Sequence, residues 1–170
     1  KIKTGTKQVT IPEDVLRFVL LHDIPSFEDG DLTVESIKLS YATHLQNGIG
    51  NLASRILRMA TTHLSLPVEV HSFTHPNAID TAFTAFDIKK ALEHVMGAVR
   101  ELDAYIQETE PFKVVKVDGE RGVALITEMV ERLHRIAVLL EPFLPRTSEE
   151  IRRLITAHEM PEKPLFNRLS

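Results

Sequence analysis

Apolar residues recur along this chain at helical spacing, and the breaks between the runs mark five helices. Pro12-Glu13-Asp14 opens the first, a short apolar helix from Val15 to Leu21 with proline and acids in its first turn. Thr33 or Asp31 can cap the second. Its apolar face runs through Val34, Ile37, Tyr41, Leu45, Ile49, Leu52, Ile56 and Met59, near the 3.6-residue period. Gly48 and Gly50 fall in the middle of that face. Either the helix continues and packs closely at the glycines, or it breaks at Asn47-Gly48. Propensity favours the break, since each glycine costs about 1 kcal/mol relative to alanine.

Residues 65–80 contain Pro67, His71, His75 and Pro76 without a period and read as a connecting loop. A third helix is predicted from about Ala85 to Thr109 through Ile88, Leu92, Val95, Val99, Leu102 and Ile106, ended by Pro111. Lys113 to Gly119 reads as a short link. The fourth helix runs from about Val123 to Leu140 and stops at Glu141-Pro142-Phe143-Leu144-Pro145. Thr147-Ser148-Glu149-Glu150 has the form of a capping box for a fifth helix through Ile151, Leu154 and Ile155. Residues 1–11 read as irregular or extended, and 161–170 as an extended tail anchored by Leu165 and Phe166. The pattern predicts an all-α helical bundle of about five helices with one long loop. It divides into a stem segment (1–32), the bundle (33–160) and a tail packed on it (161–170).

With 170 residues the chain can bury a real core. Its net charge of -4 argues against broad, sequence-blind nucleic-acid binding. Against that background, no carboxylate occurs from Ser36 to Val68. Within this strip Asn47, Asn51 and Arg55 stand at i, i+4 and i+8, on one helical face and apart from the apolar stripe. Two carboxamides and a guanidinium are groups that read base edges and phosphates, and a local acid-free strip suits a small nucleic-acid contact. The same row also suits a solvated helix face, with Asn47 or Asn51 as a turn or cap residue. Arg58 is either a phosphate contact or a solubilising charge. Phe112, after the helix-ending Pro111, is either a core plug or a platform on which an unpaired base stacks, with Lys113 and Lys116 beside it for phosphates.

Catalytic signals are poor. There is no glycine-rich phosphate loop after a strand and no recognisable nucleophile motif. His71 and His75 lack a third ligand and read as loop histidines. Glu28, Asp29 and Asp31 form an acidic turn, and His94 and His134 take packing or surface positions. No metal site is expected. With no cysteine, disulfides and thiolate sites are excluded, which fits a reducing compartment and a cytoplasmic setting. No apolar run reaches the 18 or so residues of a membrane-spanning helix. The missing methionine at position 1 points to a fragment or a processed product.

Six segments in order carry a resemblance. Asp14-Val15-Leu16-Arg17-Phe18-Val19-Leu20-Leu21 followed by Ile24-Pro25-Ser26-Phe27-Glu28-Asp29-Gly30-Asp31-Leu32 is similar to the stretch downstream of the catalytic domain in methionyl-tRNA synthetases, written there much like DALRYFLL and IPFGEDGDFS. Asn47 to Arg55 resembles that family's N-x-x-x-N-L-x-x-R, and Phe86 to Leu92 its FDFRKAL. Ala104 to Lys113 resembles YIDETAPWK, and Glu141 to Pro145 with Thr147 resembles LxPFxPxT. Lys163-Pro164-Leu165-Phe166 is similar to the ending of many family cores. The likeness covers about residues 14–168.

It implies the C-terminal α-helical anticodon-binding domain of a methionine–tRNA ligase. Carried over by motif position, the pocket for the CAU anticodon falls on Asn51, Arg55 and Phe112, with Asn47 and Pro111 as secondary members and Arg58 and Lys113 nearby. The partners implied are methionine tRNA and the catalytic domain of the same protein, with no membrane. ATP and methionine, with Mg possible, would serve the parent enzyme, and no cofactor would bind this segment. Two departures stand out. Phe112 replaces the common tryptophan, and Lys1 to Lys7 is at most a faint echo of the KMSKS loop. The HIGH motif, the nucleotide-binding fold and the zinc knuckle have no counterpart, so this segment alone is expected to be inactive. The rival readings are an anticodon domain of another class I synthetase (leucine, isoleucine, valine or cysteine) and a non-catalytic helical scaffold module.

Overall fold

A computed structural model describes residues 2–4, 7–9, 11–24, 32–71, 73–74 and 76–167. The acidic turn Ser26 to Asp31, His75, and Lys1, Gly5 and Thr6 of the amino-terminal segment lie outside the described residues. The architecture is all-α apart from a short antiparallel pair at the start, β1 (Ile2–Thr4) and β2 (Lys7–Val9), in register Ile2↔Val9. Helix α1 (Glu13–Asp23) follows, with Glu13 and Asp14 in its first turn as expected.

The second helix does not break. Helix α2 (Val34–Ser40), a π-helical stretch (Tyr41–Gly50) and α3 (Asn51–His63) run on without leaving the helical region, and the Asn51 amide reaches back five residues to the Gln46 carbonyl. Thr33 caps the start: its side chain accepts from the Ser36 amide, and the Ser36 hydroxyl accepts from the Thr33 amide. The spacing of buried residues explains the widened turn. Ile37, Tyr41, Leu45 and Ile49 are all buried and all four residues apart. In an α-helix of 3.6 residues per turn, each such step overshoots a full turn by about 40° and the row would wander off the core. The π turns that follow drift the other way, so the α step and the π steps together keep the row near the core. From Leu52 onward the buried set (Leu52, Ala53, Ile56, Leu57, Ala60) has ordinary α spacing. Burial of this face outweighs the propensity cost of the two glycines.

Gly50 has a second reason to lack a side chain. A Cβ there would lie 3.0 Å from a ring carbon of Phe166 and 3.0 Å from the Leu45 carbonyl oxygen. The carboxy-terminal tail therefore rests directly on the helix. Phe166 is buried, with its ring edge-on to Tyr41 at 6.0 Å. The Tyr41 hydroxyl donates to the Asn167 carbonyl, and Gln46 Nε2 donates to the Phe166 carbonyl at 3.4 Å.

The expected loop is shorter than the sequence suggests, because Asn77–Thr84 forms a helix, α4. Two turns are too few for a clear period. Its buried pair, Ile79 and Ala82, and the stacking of Phe83 on Phe143 hold it in place. It ends in a left-handed turn at Phe86 (φ 58°), where the Phe86 amide donates to Phe83 and the Asp87 amide to Ala82. Helix α5 (Ile88–Thr109) then starts three residues later than predicted, capped by the Asp87 carboxylate on the Lys90 amide at 3.0 Å.

The predicted link after Pro111 is also helical, α6 (Pro111–Val117), with proline at its first position. Helix α7 (Gly119–Leu140) begins four residues before Val123, capped by Asp118 on the Arg121 amide at 3.0 Å. Gly122 allows α6 to lie on α7, since a Cβ there would sit 2.3 Å from Val115 Cα. Helix α8 (Pro145–Ala157) starts at Pro145, so Thr147 is not its cap and the expected box does not form. The acceptor comes from the other end of the chain. Buried Asp14 Oδ2 accepts from the Thr147 amide and hydroxyl, both at 2.8 Å. Helix α7 is the spine of the bundle, packed by α3, α5, α6 and α8. Among the described residues, no helix is long and apolar enough to cross a membrane.

Candidate nucleic-acid interface

The polar row lies where the π stretch passes into α3. Asn47 and Asn51 are exposed, Arg55 is half-buried and Arg58 is exposed. Helix α6, held by the Gly122 contact, sets Phe112 beside this row. Pro111 is buried as the helix start, whereas Phe112 is 42% exposed. Of the two sequence readings of Phe112, the core plug is therefore excluded. A hollow of about 300 Å³ lies between α3, α5 and α6, lined by Asn51, Ser54, Arg55, Arg58, Met59, Ile106 and Phe112. It offers an aromatic face and an apolar floor, with a carboxamide and two guanidinium groups at its rim.

Asn47 is not in that hollow. It lines a neighbouring one of about 590 Å³, between the π stretch and the tail, which shares Asn51 and Ser54 with the first. Lys113 lies outside both: its ammonium is 2.5 Å from Glu110 Oε1 and 6.0 Å from the centre of the Phe112 ring. Glu110 makes the tight bend between α5 and α6 with a left-handed backbone (φ 42°), which brings the pair together. Lys116 is exposed.

The charge around the row differs from the sequence picture. The strip from Ser36 to Val68 holds no acid, but α5 supplies one. Arg55 Nη1 lies 2.6 Å from Asp103 Oδ1, and Gln107 Nε2 donates to the other oxygen at 2.7 Å. Both partners of the ion pair are about a third exposed, at 35% and 38%. Arg58 has no carboxylate partner among the described residues. Asp103, Gln107 and Ser54 were not singled out in the sequence, and Met59 and Ile106 were read there only as apolar core-face positions. Ser54 and Met59 share a helix with the row and could have been found by extending its face. Asp103 and Gln107, about fifty residues away, leave no local signal.

The remaining candidates stand apart. His71 is exposed, and among the described residues no three metal-ligand side chains cluster. His94 is exposed on α5. His134 is half-buried, and burial together with Arg152 lowers its pKa. His44 lies against His22 of α1, ring centres 4.4 Å apart, and His22 stacks on Phe18. Burial, His22 and Arg100 hold the His44 pKa below the ordinary imidazole value, while Asp23 opposes them.

Comparison with known proteins adds three findings. Residues 68–164 match the family described as the anticodon binding domain of methionyl tRNA ligase. The chain is 29% identical over 154 residues to a methionine–tRNA ligase of Clostridium acetobutylicum, covering 82% of this chain and 24% of that protein. It is 30% identical over 156 residues to one from Streptomyces coelicolor, covering 81% of this chain and 29% of that protein. It thus spans about a quarter of the length of these curated relatives. The fold is shared with the apo form of Mycobacterium tuberculosis methionyl-tRNA synthetase, at a TM-score of 0.75 and 22% identity, over 92% of this chain and 39% of that one.

Proposed function

The chain belongs to the family of methionyl-tRNA ligase anticodon-binding domains, and from that membership we propose that it selects tRNA by reading a CAU anticodon for a methionine–tRNA ligase. The observation that carries this reading is the hollow in which Asn51, Arg55 and Arg58 of α3 meet Phe112 of α6. An unpaired base stacks on Phe112, Asn51 hydrogen-bonds its edge, Arg55 engages base or phosphate, and Arg58, with no carboxylate partner among the described residues, takes a phosphate. Pro111 sets the start of α6 and so the position of Phe112, while Asn47 serves the neighbouring surface. Lys113, tied to Glu110, acts at the rim. Recognition of splayed bases suits an acidic protein, because base contacts specify and only a few phosphate contacts are required.

The chemistry of charging belongs to the rest of the parent protein in this reading. A second structural relative from Mycobacterium tuberculosis is described in complex with methionyl-adenylate, which supports ATP and methionine as the parent's substrates. The catalytic domain is then the intramolecular partner, and the cytoplasm the setting. In this reading the segment contributes selection and not catalysis.

The test is a salt-controlled titration of the chain with a methionine tRNA transcript and the same transcript with its CAU anticodon changed. Weaker binding of the changed transcript is expected. Equal binding of the two would overturn anticodon reading and put the helical scaffold in its place.

A further inference from the structure

We infer that the carboxy-terminal strap, Phe166 and Asn167, is a positioning element: it clamps Tyr41–Gly50 in its π form and so fixes how the helix presents its polar row to Arg55 and Phe112. This rests on the anticodon reading and adds residues that act through the helix. The strap meets the helix at three places. Phe166 lies against Gly50, where a Cβ would come within 3.0 Å of its ring. Gln46 Nε2 donates to the Phe166 carbonyl at 3.4 Å, and the Tyr41 hydroxyl donates to the Asn167 carbonyl. The Phe166 ring also stands edge-on to that of Tyr41.

Positions 41, 46 and 50 share a face only in the wide helix. A π-helix turns by about 82° per residue, which sets the three within about 50° of one another. An α-helix turns by about 100° per residue and would spread them over about 180°. One extended strap therefore grips the π form and cannot grip the α form. The glycines tilt the balance the same way. At Gly48 and Gly50 a Cβ would face the carbonyl oxygen five residues back, 3.4 Å from that of Thr43 and 3.0 Å from that of Leu45. They leave the wide turns uncrowded, and glycine is a poor α former. The π stretch ends at the site, where the Asn51 amide bonds to the Gln46 carbonyl. If the turn from Asn47 to Asn51 closed to α geometry, Asn51 would donate to the Asn47 carbonyl instead. Asn47 would swing by about 70° around the helix axis relative to Arg55.

The experiment uses the chain, Phe166→Ala and, as a milder change that keeps the ring, Tyr41→Phe. One readout is the NMR coupling across the hydrogen bond from the Asn51 amide to its carbonyl partner. The other is affinity for a methionine tRNA transcript and for the same transcript with its CAU anticodon changed. Phe166→Ala should lose the coupling to Gln46 and gain one to Asn47. Its preference for CAU should fall about tenfold, the low end for a lost base-edge contact, with affinity for the changed transcript kept within about twofold. Tyr41→Phe should move both readouts the same way and by less. A purely structural role would lower affinity for both transcripts alike, and that result overturns the positioning role. So does a Gln46 coupling that persists in Phe166→Ala, or a full preference for CAU once that coupling is lost. If the unaltered chain ignores the anticodon change, the anticodon reading itself falls and takes the positioning role with it. Every other adverse result leaves that reading standing.

Discussion

The guanidinium of Arg55 on α3 is gripped by the carboxylate of Asp103 on α5 at 2.6 Å, so the arginine reaches its hollow with one edge occupied and its charge offset. The pair is partly exposed and worth little to stability. Its effect falls on the ligand. Asp103→Asn should leave the melting temperature nearly unchanged and tighten binding of any tRNA several-fold at low salt. The salt dependence should steepen by about 0.7 in log–log slope, the share of one phosphate on a single strand. Discrimination against a changed anticodon should fall, because a freed cation favours phosphates over bases. An unchanged slope would mean that Arg55 meets no phosphate.

Phe112 presents an exposed face and no polar atom. Replacing it with alanine should weaken methionine tRNA binding by the loss of one stacked base, about 1–3 kcal/mol. Phe112→Trp widens the face and adds an N–H donor, so affinity should hold or rise. A marked loss with tryptophan would argue against stacking. Asn51→Ala and Arg55→Ala should each weaken binding of the CAU transcript, and a normal affinity in both would remove them from the site.

Gly122 controls that face without touching it. An alanine Cβ at this position would lie 2.3 Å from Val115 Cα, a backbone atom that cannot swing aside. Gly122→Ala should cost stability in the range of an overpacked core, about 1–3 kcal/mol, and push α6 off α7. Denaturant unfolding reads the first effect. Weaker tRNA binding by the folded variant reads the second, and full affinity there would mean that α6 need not hold Phe112 in place.

Asp14 caps α8 from a distance of 133 residues in sequence. Asp14→Ala should lower stability by about 1–2 kcal/mol, the upper range for a lost cap, since the carboxylate is buried. Thr147→Val removes one of its two bonds, and the two changes should be less than additive in a double-mutant cycle. Additive losses would show that the groups do not interact.

His44 gives the bundle a pH dependence of known sign. Its pKa in the folded chain is lowered, chiefly by burial, so the unfolded chain binds protons more readily. Stability should be full above the ordinary imidazole value of about 6.5 and decline as pH falls through and below it. His134, lowered by burial and Arg152, acts in the same direction. The groups facing His44 are His22, Asp23 and Arg100. His44→Gln should flatten the decline measured by thermal melts between pH 7 and pH 5, and an unchanged slope would assign it elsewhere.

The long helices were legible because their buried faces repeat over several turns. Leu92, Val95, Val99, Leu102 and Ile106 are all buried on α5, as are Ile126, Met129, Leu133, Ile136 and Leu140 on α7. The short helices α4 and α6 escaped because each offers too few turns to show a period; the support of α4 comes from the remote Phe143, and that of α6 from a close approach at Gly122 on the next helix. The glycines at 48 and 50 misled because propensity is a local quantity, whereas the reason for Gly50 is Phe166, more than a hundred residues away. The candidate site divides in the same way. Asn51, Arg55 and Arg58 lie on one helix and share a legible face. Their neighbours Ile106 and Asp103, and the separation of Asn47 into a second hollow, depend on how three helices and the tail meet.

The bond between Asp14 and Thr147 also sets how the molecule opens. Helix α1 cannot swing away without exposing the first turn of α8, and α8 cannot fray from its start without stranding a buried carboxylate. The two segments therefore form one cooperative unit although they lie at opposite ends of the described chain. In amide hydrogen exchange they should share a single opening free energy, and loosening either should release both at the same rate.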